Sequence, residues 1–326
     1  MKVLIADKFA ENGVAALREA GCEVIVNPAL KDDELSKAIG ETSCNGLIVR
    51  STEVTADMLK ASPNLALVIR AGSGYDTINV NAATKRNIRV CNCPGMNSVA
   101  VAELTLGLMI ALDRRIADEV QDLRRGVWNK KEYGKARGLK GRTFGAVGLG
   151  RIGYEVAKRA AAFDMKLIYS DVIDQKEMER ELGLRKVPFE RLLAEADFIT
   201  LHVPGGASTK HLIGAKELAM MKPTAFLLNC SRGGVVDEVA LAEAVKSGTI
   251  GGAALDVYEI EPAATDKEFK DPVVSVPRIY GTHHVGASTE QAQDAVADEA
   301  VRIVRNYLKT GEFINCVNSS ETAKAP

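Results

Sequence analysis

The stretch "TFGAVGLGRIGYEVAKRAAAFDMKLIYSD" constrains this chain more than any other. It sets Gly148, Gly150 and Gly153 as GxGxxG directly after a strand-like run and at the start of a helical one. The first glycine permits a tight turn, the second lets a pyrophosphate approach the backbone, and the third lets helix and strand pack closely. The opening of the helix then faces the phosphate with unsatisfied N–H groups and a partial positive charge. Asp171 falls eighteen residues after Gly153, at the end of the next strand-like run. A carboxylate there can accept hydrogen bonds from ribose hydroxyls and would repel an added 2′-phosphate. Strand, glycines, helix and acid in one unit predict a dinucleotide site that prefers NAD to NADP.

The rest of the chain supplies the sheets such a site needs. Up to about residue 95, short β-branched runs ("KVLIAD", "EVIVNP", "GLIVRS", "ALVIRAG", "IRVCNC") alternate with amphipathic segments. A second series follows ("TFGAVGLG", "KLIYSD", "DFITLHVP", "AFLLNCSR", "GAALDVY", "RIYGTHH"). Apolar runs bounded by turn residues and alternating with helices predict parallel sheets covered on both faces. The expected fold is α/β, with two doubly wound parallel-sheet domains: a flavodoxin-like substrate domain and a Rossmann NAD-binding domain. Residues 1–97 and 286–326 are assigned to the substrate (lid) domain and 98–285 to the dinucleotide-binding domain. One long helix is expected from about Asn97 to Arg125, followed by the polar basic stretch "GVWNKKEYGKARGLKGR". Another is expected over roughly 288–309, with Ser288 or Thr289 capping its start.

Composition removes several classes of function. The 326 residues are 46% hydrophobic and carry a net charge of -1, which gives no electrostatic footprint for nucleic acid or an anionic membrane surface. The N-terminus "MKVLIADKFAENG" lacks the features of a secretory signal, and the apolar "SVAVAELTLGLMIALDRR" is interrupted by Glu103 and reads as a buried helix. The six cysteines form no CxxC pair and read as reduced thiols of a cytoplasmic protein, with no metal site.

Three polar residues stand at the ends of later strand-like runs: Arg232 after "AFLLNC", Glu261 just past "AALDVY", and His284 after "RIYGT". In a doubly wound sheet such ends converge on one crevice. Hydride transfer to a nicotinamide needs an acceptor for the substrate's hydroxyl proton, and only histidine has an ordinary pKa near neutrality. A glutamate can orient the ring, and an arginine offers a fork for a carboxylate. His283 lies beside His284. Adjacent residues of an extended segment point to opposite sides, so only one of the two rings is expected to serve.

The chain resembles the D-isomer-specific 2-hydroxyacid dehydrogenases, and most closely their phosphoglycerate-oxidising members. The likeness runs nearly end to end through "GLIVRSTEVTADML", "RAGSGYDTINV", "NSVAVAEL", "VGLGRIGYEVAKR", "NCSRGGVVDE", "GAALDVYEIEP" and "HVGAST". The resemblance implies His284 as acid/base, Glu261 as its partner and Arg232 as the substrate-binding arginine. It implies NAD contacts from Gly148, Gly150, Arg151, Ile152, Gly153, Asp171, Val203, Pro204, Cys230, Ser231, Asp256, Gly286 and Ala287, with Asp256 meeting the nicotinamide carboxamide. Substrate contacts are implied for Arg50, Ser51, Gly72, Ser73 and Gly74, with Arg50 on a phosphate. Lys130 is implied to add charge from a neighbouring subunit of a homodimer.

The reaction so implied is NAD-dependent oxidation of 3-phospho-D-glycerate to 3-phosphohydroxypyruvate, in serine biosynthesis. The alternatives are a glyoxylate or hydroxypyruvate reductase, or another D-2-hydroxyacid dehydrogenase. An NAD-sensing co-repressor or scaffold is an alternative of another class. Three departures from the pattern stand out. His283 replaces the proline that usually precedes the catalytic histidine, Val203 stands where close relatives often have threonine, and the chain ends soon after the last motif. No appended regulatory domain is therefore expected.

Overall fold

A computed structural model describes residues 1–262 and 268–319. The chain divides into two compact units, Met1–Asn97 with Ser288–Pro326, and Ser98–Ala287. Gly286 and Ala287 therefore fall in the second unit, and Pro326, with the rest of 320–326, lies outside the described residues.

In the first unit, β1 (Lys2–Ile5), β2 (Glu23–Val26), β3 (Gly46–Val49), β4 (Leu67–Arg70) and β5 (Arg89–Asn92) form a sheet of order β2-β1-β3-β4-β5. Every pairing in it is parallel. This is the flavodoxin-like order expected of a doubly wound domain. The helices α1 (Glu11–Glu19), α2 (Asp32–Thr42) and α3 (Val80–Lys85) connect its strands. The buried runs "LIV" of β3 and "LVI" of β4 are apolar on both faces because helices cover both sides.

The second unit opens with α4 (Ser98–Arg114), which is apolar nearly all round and largely buried. A single helix to Arg125 is not what forms. Arg115 takes a left-handed conformation (φ 57°) and ends α4, and α5 (Ile116–Arg124) starts anew. The Arg115 guanidinium is held there by Asp118 at 2.9 Å and Glu132 at 2.7 Å, contacts no helical periodicity reveals. The basic stretch that follows contains the short α6 (Lys130–Tyr133).

Then come β6 (Thr143–Val147), α7 (Arg151–Ala162), β7 (Lys166–Ser170), α8 (Lys176–Leu182), β8 (Arg185–Lys186), α9 (Phe189–Glu195), β9 (Phe198–Leu201), α10 (Ala215–Met220), β10 (Phe226–Asn229), α11 (Glu238–Lys246), β11 (Gly252–Leu255) and β12 (Ile279–Gly281). The seven strands have the order β12-β11-β10-β9-β6-β7-β8, and the winding reverses at β6, between β9 and β7. The last helix, α12 (Glu290–Thr310), belongs to the first unit. Thr289 caps it by accepting the Ala292 N–H at 3.1 Å. Its Ala300, Val301 and Val304 pack in one core with Val3, Ile5 and Leu17. Among the described residues no helix is long and apolar enough to cross a membrane.

Register decides where chemistry can collect. Val147 of β6 pairs with Ser170 of β7 and Leu201 of β9, Leu201 with Asn229 of β10, Asn229 with Leu255 of β11, and Leu255 with Gly281 of β12. Six parallel strands thus end on one row, and the next residues of each enter loops on the same side of the sheet.

Candidate active site

The glycine turn leaves that row from β6. Gly148 has φ +86°, and a Cβ on Gly153 would stand 2.4 Å from the Gly148 carbonyl oxygen, so helix and turn could not pack as closely with any side chain there. Gly150 caps α7 with no side-chain hydrogen bond, and a Cβ on it would meet nothing within 4 Å, so the helix N-terminus is open in front of it. Asp171, one residue past β7, accepts the Leu149 N–H at 2.7 Å and the Ile173 N–H at 2.9 Å. An ionised carboxylate has lone pairs beyond those two bonds for ribose hydroxyls. Glycine spacing, open helix terminus and anchored acid fit an NAD adenosine diphosphate, and Arg151 and Ile152 begin the helix beside it.

His202, the residue beyond β9, packs against this turn with Cδ2 at 3.4 Å from where a Gly153 Cβ would be. Burial pushes its imidazole down to about 3, so the ring is neutral at physiological pH. Its Nε2 meets Thr200 Oγ1 at 3.0 Å. Val203 and Pro204 follow it in the same loop. Sequence reading missed His202, whose only signal was a histidine one residue past a buried strand.

Beyond β10 come Cys230 and Ser231, both buried, and then Arg232. Ser231 donates to Asn229 Oδ1 at 2.7 Å, Asn229 Nδ2 donates to the Arg232 carbonyl at 2.9 Å, and the Arg232 guanidinium reaches back to the Ser231 carbonyl at 2.8 Å. A Cβ on Gly233 would stand 1.8 Å from the Tyr258 carbonyl oxygen. That approach brings the Arg232 loop against the loop after β11, which carries Glu261.

Glu261 and His284 meet directly. His284 Nδ1 lies 2.8 Å from Glu261 Oε2, while Glu261 Oε1 accepts the Tyr258 N–H at 3.2 Å. Burial would raise the Glu261 carboxyl, but the His284 hydrogen bond and charge, the Tyr258 N–H and the Arg232 charge outweigh it and hold it below its ordinary value. With Nδ1 engaged, Nε2 is the ring nitrogen left for a proton acceptor's work.

The His284 backbone departs from the extended geometry expected of "GTHHVG", since its φ is 51°. Strict alternation across a strand therefore does not apply to His283 and His284, and the pairing with Glu261 is what distinguishes them. Asp256 holds the segment in that shape. It is 2% exposed and accepts the Thr282 hydroxyl at 2.6 Å and the N–H groups of Val285 and Gly286 at 2.9 Å each. Gly286 and Ala287 end the loop.

The turn carrying Glu261 has its own anchor. Glu259 N–H donates to Glu238 Oε1 at 2.7 Å, and Glu238 is 8% exposed. Burial, opposed by that N–H and reinforced by Asp271 and Glu259, pushes the Glu238 carboxyl up to about 7. Between its ordinary value and about 7 the folded chain keeps a proton that the unfolded chain has released, so stability falls as pH rises across that window. Glu238→Gln should therefore be more stable than the parent at pH 8, by on the order of 1–3 kcal/mol, with the advantage shrinking towards pH 5. Thermal midpoints at the two pH values check this, and an advantage independent of pH contradicts it.

In the first unit, Arg50 and Ser51 lie just past β3. The Asp7 carboxylate, just past β1, accepts the N–H groups of Arg50 at 2.6 Å, Ser51 at 3.1 Å and Thr52 at 3.0 Å, and the Arg50 guanidinium donates to Ser288 at 3.1 Å. Asp7 was legible only as the acid closing "KVLIAD", and its partners are more than forty residues away. Past β4, Gly72, Ser73 and Gly74 form a loop. Ser73 donates to Asn97 Oδ1 at 2.7 Å, and its hydroxyl accepts the Gly95 N–H at 3.2 Å. Lys130 starts α6, on a cleft of about 430 Å³ also lined by Asp122, Trp128 and Tyr133. A further cleft of about 990 Å³ opens at the amino ends of β6 and β7, beside Thr143 and Lys166, and holds none of the candidate residues. Among the described residues no cluster of histidine, cysteine and acidic side chains could hold a metal ion.

Residues 106–286 match the family described as D-isomer specific 2-hydroxyacid dehydrogenase, NAD binding domain. The chain belongs to that family. The second unit is accordingly an NAD-binding domain, and NAD is the cofactor. Over 94% of its length the chain is 43% identical to the D-3-phosphoglycerate dehydrogenase of Methanocaldococcus jannaschii, of which it spans 58%. It is 44% identical over 87% of its length to the hydroxypyruvate reductase of Thermotoga maritima, covering 90% of that protein. Among solved structures, the TT0316 protein of Thermus thermophilus superposes with a TM-score of 0.87 at 33% identity, over 97% of this chain and all of that one. The chain spans about three fifths of the length of the phosphoglycerate dehydrogenases among its relatives, 58% and 59% for two of them.

Proposed function

We propose that the chain is a cytoplasmic NAD-dependent dehydrogenase that oxidises 3-phospho-D-glycerate to 3-phosphohydroxypyruvate. The observation that carries this reading is the His284–Glu261 pair, 2.8 Å apart in the loops beyond β11 and β12 of an NAD-binding sheet. Bound NAD supplies the hydride acceptor. His284 Nε2 takes the proton of the C2 hydroxyl, and Glu261 fixes the ring through Nδ1 and stabilises the imidazolium that results. Arg232 binds the substrate carboxylate and polarises the C2 oxygen. Asp256, whose carboxylate is committed to Thr282, Val285 and Gly286, holds the histidine loop in place. The backbone of Gly72 to Gly74 binds the substrate carboxylate, Arg50 binds the phosphate with Ser51 beside it, and Lys130 of a second copy adds charge for that phosphate.

Arg50 carries the choice of substrate. Asp7 fixes its backbone by three N–H bonds that run through Thr52, so the guanidinium projects from a rigid turn. Arg50→Ala should raise KM for phosphohydroxypyruvate at least tenfold and leave the weaker activity on hydroxypyruvate nearly unchanged, because uniform binding of a phosphate is what is removed. Steady-state kinetics on the two substrates check it, and equal losses on both overturn the phosphate assignment. The Thermotoga relative favours a second reading, reduction of hydroxypyruvate or glyoxylate by the same residues.

The partner we propose is a second copy. On α5 and the segment after it, Ile116, Leu123, Val127 and Trp128 are 45%, 57%, 44% and 80% exposed, and α5 buries no residue in the single chain. An apolar face of that kind suits a homodimer interface. Sedimentation that finds only monomer at micromolar concentration contradicts it.

A further inference from the structure

The first unit contains two thiols that none of these roles uses. Asn92 N–H donates to the Asn315 carbonyl at 3.2 Å and Val317 N–H donates to the Val90 carbonyl at 2.8 Å. Between those bonds lies an antiparallel bridge that pairs Cys91 of β5 with Cys316, beyond α12. Because the bonds fall on the residues to either side, Cys91 and Cys316 form a non-hydrogen-bonded pair, in which Cα atoms approach to roughly 4.5 Å and side chains come closest. A disulfide needs Cα atoms roughly 4.4–6.8 Å apart. Both thiols are free and buried.

The register is held firmly. Asn318 accepts the Val90 N–H at 2.9 Å through its side-chain oxygen and donates to the Ile88 carbonyl and Thr84 Oγ1, each at 2.9 Å. Cys93 is a poorer partner for Cys91. It lies one residue beyond β5, and its thiol is engaged elsewhere, donating to the Val296 carbonyl at 3.5 Å.

We propose that Cys91 and Cys316 are a redox modification site, at which a small hydroperoxide converts the pair to a reversible disulfide that fastens the segment after α12 to β5. The Cys316 sulfur attacks one peroxide oxygen and the O–O bond breaks, leaving a sulfenic acid and, from hydrogen peroxide, water. The Cys91 sulfur then displaces the sulfenic oxygen as a second water while the S–S bond forms. The two thiols lose two electrons and two protons, which the peroxide takes up. Cys316 is suited to attack first. It is 9% exposed while Cys91 is fully covered. A hydrogen bond from Cys91, opposed by burial and aided by Arg89, holds its thiol below the ordinary value.

The test uses the full chain treated natively with hydrogen peroxide, then alkylated, digested and analysed by mass spectrometry beside a thiol titration under denaturing conditions. The expected result is a joined Cys91–Cys316 peptide lighter by two hydrogens, with two fewer titratable thiols. Dithiothreitol should restore both. Oxidation should also raise the thermal midpoint of the parent by several degrees and leave those of Cys91→Ser and Cys316→Ala unmoved, with circular dichroism confirming that both variants fold. A sulfinic acid at Cys316 without a joined peptide, a Cys91–Cys93 link, or an unchanged thiol count would overturn the proposal.

Discussion

His284→Asn should lower kcat by roughly 10²–10⁴, the usual worth of a general acid or base, while changing the affinity for NADH little. Asparagine keeps a hydrogen-bonding side chain of similar reach towards Glu261 Oε2, the atom 2.8 Å from the ring in the parent, but it has no nitrogen that can take and return a proton. His283→Ala should be mild by comparison. The paired ring sits in a strained position, a non-glycine residue at φ 51°, held by three hydrogen bonds from Thr282, Val285 and Gly286 to Asp256. Strain that the surroundings over-determine is characteristic of active-site loops. A folded His284→Asn enzyme of near-normal kcat, with His283→Ala crippled, would reverse the assignment of the two histidines.

The second large effect is on stability. Asp113→Ala should destabilise the NAD-binding unit by about 3–5 kcal/mol, the cost of leaving one charge of a buried pair without its partner. Asp113 and Arg142 lie 2.8 Å apart with side chains 3% and 7% exposed. Asp113 also accepts the Gly138 N–H at 2.9 Å, and Arg142 lies 4.2 Å from the centre of the Phe198 ring. Burial already works against the charged Arg142, drawing its guanidinium below the ordinary value despite Asp197 and Asp113. Urea unfolding monitored in the second unit should show a lower midpoint at unchanged slope. Replacing both residues with apolar ones should recover much of the loss, because the penalty belongs to the unpaired charge. A single replacement that costs under 1 kcal/mol would mean that water solvates Arg142 once Asp113 is gone.

Local sequence carried the sheets and most of the candidate site because each signal was contiguous. Strand, glycine turn and helix follow one another from Thr143 to Ala162, and Arg232, Glu261 and His284 each follow a strand of the second sheet. The residues that position them were less visible, since their roles depend on partners distant in sequence. Asp7 is 43 residues from Arg50, and Asp256 is 30 from Gly286. The break at Arg115 was hidden for the same reason, because the apolar periodicity of α4 runs on while the ion pair with Glu132 that secures the turn is 17 residues away. His284 looked extended because small and β-branched neighbours favour strands, and only the hydrogen bonds to Asp256 turn it.

The reaction proposed for this chain pairs an acid/base histidine with NAD on a phosphorylated 2-hydroxy acid. It is tested most directly by following NADH absorbance with the purified chain, offering phosphohydroxypyruvate, hydroxypyruvate, glyoxylate and pyruvate at matched concentrations and replacing NADH by NADPH in a parallel series. The highest kcat/KM is expected with phosphohydroxypyruvate, together with a preference for NADH, given the Asp171 carboxylate beside the glycine turn. A higher kcat/KM with glyoxylate or hydroxypyruvate, or faster turnover with NADPH, would contradict it.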